Sequence, residues 1–260
     1  MPANVRVSLL RYNKKNRLKR RKGLAAYVIF IGILFAGVWS YEELSQGQID
    51  ALNWLSATTE QTPVSLEEIP PFDGVPYVEI NGNIPFFEEK DFTTDSFESY
   101  SDLDALGRCG VAYANIGIDL MPTEERGAIG SVKPSGWHTV KYDCVDGNYL
   151  YNRCHLIGYQ LTGENANEKN LITGTRYMNV EGMLPFEDMV DDFVEATNYH
   201  VLYRVTPIYE GNDLVAKGVL MEAWSVEDQG RGICFNVYVY NNQPGVEIDY
   251  ATGESRLAGE

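Results

Sequence analysis

From Gly23 to Tyr41 the chain reads GLAAYVIFIGILFAGVWSY, nineteen residues without a charge. At about 1.5 Å per residue, a helix of that length nearly spans a hydrocarbon core of roughly 30 Å. The flanks are opposite in sign. Residues 1–22 hold nine Lys/Arg and no acid, and the first acidic residue is Glu42. Basic residues stay on the cytoplasmic side, so the reading is a basic cytoplasmic segment at 1–22 and a single-pass transmembrane anchor at 23–41. Everything after the anchor then lies outside the cell. A cleaved signal peptide, giving a secreted protein, is the alternative. Its basic region would be unusually long, and Val38-Trp39-Ser40 is a poor cleavage site.

The rest of the chain is acidic. Of 21 Lys/Arg in the 260 residues, 12 follow the apolar run, against all 37 Asp/Glu, a formal charge of −25 that the whole-chain −16 conceals. A surface of that sign repels polyanions at long range, which argues against tight or processive binding of nucleic acid. A local basic groove is compatible with it. Six of the 12, Arg126, Lys133, Lys141, Arg153, Lys169 and Arg176, fall between 126 and 176. Cys109, Cys144, Cys154 and Cys234 would sit where disulfides form, with three pairings open. They contain no C-x-x-C, which argues against a structural zinc site.

Residues 42–74 read as an acidic linker broken by Thr-Pro and Pro-Pro, and one folded domain is expected over 75–260. Strand-like runs are Tyr77–Ile80, Cys109–Ile118, His138–Tyr142, Tyr149–His155, Tyr199–Tyr209, Leu214–Val226 and Ile233–Tyr240. Helical patterns cover Leu156–Leu161, Thr175–Gly182 and Leu184–Thr197, the last with Pro185 in its first turn. Strands outnumber helices and the helices cluster in the middle of the chain. That is an α+β fold with a central antiparallel sheet.

The chemistry concentrates in residues 149–187, YLYNRCHLIGYQLTGENANEKNLITGTRYMNVEGMLPFE. On a strand, Arg153 and His155 share a face. A cation beside an imidazole suits a phosphodiester, one group binding the phosphate and the other handling a proton. A loop with Asn165, Asn167 and Asn170 follows, then Asn179 at a helix start. An Asn oxygen is a hard, neutral ligand that Mg²⁺ accepts while keeping most of its water. His138 and His200 lie in strand-like runs and are read as structural.

Asn152-Arg153-Cys154-His155 resembles the Asp-Arg-Gly-His signature of the DNA/RNA non-specific endonucleases, in the ββα-metal or His-Me finger superfamily. Asn170, Asn179 and Glu187 keep the family's intervals of nine and eight residues. The block Arg126-Gly-Ala-Ile-Gly-Ser-Val-Lys-Pro-Ser-Gly-Trp137 looks like its Arg…Gly-Trp segment. The resemblance covers roughly 75–250 and is strongest to membrane-anchored Gram-positive nucleases of the DNA-uptake type. It implies a ββα-metal unit inserted in the sheet and sequence-independent hydrolysis of DNA and RNA, leaving 5′-phosphates. By the same resemblance His155 is the general base, Asn179 the direct ligand of Mg²⁺ or Mn²⁺, and Arg153 a phosphate contact. Asn170 helps hold the site, Glu187 orients metal-bound water, and Arg126 contacts the substrate backbone. Asn152 and Cys154 depart from the signature, and Pro185 is expected to interrupt the helix joining Asn179 to Glu187. A fold that captures DNA without cutting it is the alternative those departures favour.

With the anchor intact, protease added to cells or protoplasts should remove the C-terminal domain and spare the N-terminus. Activity recovered wholly in the medium, with a mature end near Tyr41, would establish the secreted form instead.

Overall fold

Largely buried, apolar-rich strands build the main sheet of the structure, a computed structural model that describes residues 64–259. The basic segment, the apolar run and most of the linker lie outside those residues. Among the described residues no helix is long and apolar enough to cross a membrane. The strands are β1 (Tyr77–Glu79), β2 (Phe97–Tyr100), β3 (Ala112–Ile116), β4 (Tyr151–His155), β5 (Leu171–Thr175), β6 (Val201–Ile208), β7 (Gly218–Ser225), β8 (Cys234–Tyr240), β9 (Val246–Ile248) and β10 (Ser255–Leu257). The α-helices are α1 (Tyr159–Thr162) and α2 (Leu184–Thr197). Six strands form one sheet in the order β1-β8-β7-β6-β3-β2, every neighbouring pair antiparallel. The expected α+β class with a large antiparallel sheet is what folds.

One face of that sheet makes the core. Tyr203 and Val205 of β6 lie opposite Ala223 and Met221 of β7, and Val237 of β8 lies opposite Met221 on its other side. Across β3, Ala114 opposes Tyr203, a small residue against a large one. Helix α2 lays Phe186, Val190 and Val194 on this face, four residues apart along one stripe. The opposite face carries a buried ion pair, Arg204 Nε to Glu222 Oε2 at 2.7 Å. Phe86 adds to it: its N–H donates to Glu222 (2.7 Å) and its carbonyl accepts from Arg204 (3.0 Å), so the backbone there is strapped to the sheet.

Strands β4 and β5 pair separately, with Arg153 opposite Thr173 and His155 opposite Leu171. No strand was expected at β5, nor at β2, β9 and β10, all of three to five residues. His138–Tyr142 makes only a single bridge, Lys141 to Tyr149. The fully buried Asn241 ties the small sheet to the large one. Its Oδ1 accepts from the Thr175 N–H (2.8 Å), and its Nδ2 donates to the carbonyls of Thr173 (3.0 Å) and Ala216 (2.9 Å). Cys154 faces the core, and Gly174 on the neighbouring strand leaves it room, since a Cβ there would overlap its Sγ. All four cysteines are free.

From β5 the chain enters a π-helical turn, Met178–Met183, that runs straight into α2. Pro185 does not interrupt the helix. The Leu184 N–H reaches back five residues to the Asn179 carbonyl. Proline's missing donor therefore falls where wide-turn bonding gives way to α-helical bonding, and its ring escapes the usual clash. Residues 70–72 of the expected linker lie on the domain: Tyr240 donates to the Pro70 carbonyl (2.7 Å), and Phe72 packs edge-on against Tyr177 and Tyr240.

Replacing Asn241 by Leu strands one N–H and two carbonyls in the interior, and should cost about 2–4 kcal/mol of unfolding free energy. Chemical denaturation checks it; a midpoint unchanged from wild type would show that the two sheets are joined some other way.

Candidate active site

A cavity of about 510 Å³ opens over β4 and the π-helical turn. Five residues selected from sequence, Arg126, Arg153, His155, Asn179 and Glu187, line it together. The sixth, Asn170, lies beneath the site. Its amide grips the backbone of Ile157 at both ends, accepting from the N–H (2.9 Å) and donating to the carbonyl (3.0 Å), while its own carbonyl accepts from Leu156 N–H (2.9 Å). Asn170 thus fixes the chain just after His155 and is a positioning residue.

His155 is only 6% exposed. Its Nε2 lies 2.8 Å from the carbonyl oxygen of Asn165, which can only accept, so Nε2 carries the proton. Nδ1 then presents its lone pair, and Arg126 Nη2 donates to it at 3.1 Å. Burial lowers the imidazole's pKa, the Asn165 carbonyl opposes this, and the Arg126 charge lowers it further. The ring is therefore neutral at neutral pH. Arg153 is held by the loop before it: Nε donates to the Val132 carbonyl, Nη2 donates to the Gly130 carbonyl (3.1 Å), and the guanidinium lies 4.0 Å over Trp137. Carbonyls and an indole thus stand in for a carboxylate partner. Asn152, where the resemblance expects Asp, lines the same cavity with a buried Nδ2 that has no partner.

Asn179 and Glu187 lie eight residues apart, and in an unbroken α-helix they would be turned about 80° from each other. The π-helical turn takes up one extra residue and brings both onto the cavity. The Asn179 side chain makes no hydrogen bond among the described residues. Glu187 is buried, which pushes its pKa to about 8 against the pull of Gln160 Nε2 at 3.4 Å. Gly158 permits this approach, because a Cβ there would stand 2.9 Å from the Glu187 carboxyl carbon and 2.8 Å from Gln160 Oε1. Gly158 and Gln160 escape sequence reasoning because they meet Glu187 only when the start of α1 packs on α2.

An unpaired neutral amide beside a buried carboxylic acid fits a hydrated hard cation, which would favour the ionised carboxylate. Among the described residues no three His, Cys, Asp or Glu could hold a metal, so an all-protein cage is not offered. Of the basic cluster, Arg126, Arg153 and Arg176 reach the cavity. Lys169 pairs instead with Asp102 (2.6 Å). His138 Nε2 meets the Thr252 carbonyl and His200 pairs with Glu227, both outside the cavity.

The family model of the DNA/RNA non-specific endonucleases matches residues 89–227. A deoxyribonuclease of Streptococcus dysgalactiae subsp. equisimilis is 32% identical over 111 residues, 41% of this chain and 33% of that protein, so the chain spans about a third of that relative's length. Among solved structures, NucA from Streptococcus agalactiae with a magnesium ion bound superposes with a TM-score of 0.62 at 28% identity, over 71% of this chain and 91% of that one. The Sda1 nuclease with a bound zinc ion gives 0.60 at 27%, over 72% and 97%. The family match takes in more than half of the chain, including the strand that carries His155 and the turn that carries Asn179, and the chain belongs to the DNA/RNA non-specific endonuclease family.

Proposed function

We propose that the domain hydrolyses phosphodiester bonds of DNA and RNA without regard to sequence, with a divalent cation such as Mg²⁺ or Mn²⁺, on a chain tethered to the membrane by residues 23–41 with the domain outside the cell. The observation that carries the proposal is the buried, neutral His155, whose tautomer aims the Nδ1 lone pair into a cavity lined by Arg126, Arg153 and Asn179.

A bound divalent cation supplies Lewis-acid stabilisation of charge on the phosphate and on the departing 3′ oxygen. Asn179 would hold it directly and Glu187 would stand behind. His155 Nδ1 takes the proton of the attacking water while its Nε2–H stays on the Asn165 carbonyl, so the ring does not turn as charge moves. Arg126, which donates to that lone pair in the free protein, redirects its hydrogen bond to the incoming phosphate and uncovers the base. Arg153 steadies the Gly130–Trp137 loop with part of its guanidinium and has N–H groups left for phosphate. Cys154 points into the core, so the departure from Gly gives no reason to prefer a capture module without turnover.

His155→Ala should cut the rate on plasmid DNA by about 10²–10⁴. His155→Gly should regain part of it with added imidazole. Wild-type activity should rise with pH through an ionisation below the usual histidine value of about 6.5, because burial favours the neutral ring. That limb should be absent from the Ala variant. Near-wild-type turnover by His155→Ala would overturn the assignment.

Asn179→Ala should lose most activity with an unchanged melting temperature, and should need far more cation for half-maximal rate. Asn167, which only caps a turn by accepting from Lys169 N–H (3.0 Å), is the control, and its Ala variant should keep most activity. Equal losses in both would place the metal elsewhere.

A further inference from the structure

Tyr149 stands at the rim of the cavity that holds His155, and 48% of it is exposed. The other aromatic residues of the cavity are engaged. Trp137 lies under the Arg153 guanidinium, Tyr151 is buried with its hydroxyl donating to Gly253, and Tyr159 donates to Glu124. Lys141 Nζ lies over one face of the Tyr149 ring, 4.3 Å from its centre, and among the described residues no other ring or cation is stacked on it. The hairpin beneath is tightly built: Tyr142 N–H donates to Asn148, Val145 to Tyr142 and Asn148 to Val145, all within 3.1 Å. Gly147 and Asn148 turn it through left-handed φ of 69° and 67°, and Val145 and Leu150 anchor it in the smaller core. The ring is therefore presented by a fixed support. Arg176, a second cation, lines the same cavity and pairs with the exposed Asp146 (2.9 Å).

From this we infer a stacking subsite for an unpaired nucleobase, with Tyr149 as its platform and Lys141 and Arg176 beside it for the flanking phosphates. The inference rests on the nuclease reading above and adds a substrate class, single-stranded or locally unpaired nucleic acid. A duplex keeps its bases inside the stack, out of reach of a projecting ring. Every base has a π-face, so stacking tolerates any sequence. It also loses little to salt or to the repulsion of a chain carrying −25 after the apolar run, whereas phosphate contacts weaken under both.

The test uses the full chain in detergent micelles, with His155→Ala as the parent so that the probe survives. The probe is a single-stranded oligonucleotide containing 2-aminopurine, alongside the same sequence as a duplex. The parent should bind the single strand and quench its fluorescence. Tyr149→Ala should weaken that binding about 5- to 150-fold, Tyr149→Phe should retain it, and the duplex should change less than twofold. The subsite is overturned if the parent does not bind, if Tyr149→Ala binds as the parent does, if Phe fails like Ala, or if strand and duplex weaken alike. Cleavage by the unmutated protein is scored separately. Tyr149-dependent quenching without cleavage would leave the subsite standing and remove the nuclease reading.

Discussion

Strands β4 and β5 share no ladder with the six-stranded sheet, so the place of His155 depends on buried side-chain amides. Asn241 spans the gap between β5 and the large sheet with three hydrogen bonds, and Asn170 grips Ile157 at both ends of its amide. Each offers donor and acceptor a fixed distance apart, so each defines one arrangement of the backbones it joins. Unmade, such bonds would leave polar groups stranded in the interior, which makes alternative dockings of the small sheet costly. Strand β4 inherits its position from these contacts.

The site balances charge within an acidic chain. Burial holds His155 neutral and raises the Glu187 carboxyl, so the floor of the cavity carries little charge without a cation. Arg126, Arg153 and Arg176 supply the positive charge around it. The cavity thus has a cationic mouth and a nearly neutral interior, in a chain that is acidic after the apolar run. For the proposed substrate, attraction confined to the cavity favours brief encounters over long residence on the polymer.

Local geometry accommodates each departure from the family signature. Cys154 fits because Gly174 has no side chain where the sulfur lies. Asn152 in place of Asp leaves Arg153 without that carboxylate, and the arginine is held by the Val132 and Gly130 carbonyls and the Trp137 ring. Pro185 fits because the π-helical turn precedes it, and the same turn brings Asn179 and Glu187 to one cavity. A single backbone adjustment thus admits the proline and aligns the site.

Much of this was legible in the residues themselves. Apolar, β-branched and aromatic runs in β6, β7 and β8 marked the sheet because these strands are largely buried, and the α2 stripe marked its helix because one face of it packs on the core. Asn152–His155, Asn170, Asn179 and Glu187 pointed to the site through their resemblance to a family signature, and the fold brings Arg153, His155, Asn179 and Glu187 to one cavity. Short strands such as β5 and β9 were not legible, because their partners, which lie apart in sequence, stabilise them more than their own composition does. Nor was the service of Asn170 as a clamp, the seat of Arg126 on Nδ1, or the meeting of Glu187 with Gln160 and Gly158. Those contacts join segments up to tens of residues apart. Local sequence determined the residue types and their periodicity; only the packing of β4, β5 and the helices decided which of them touch, because burial and hydrogen-bond partners are properties of the assembled fold.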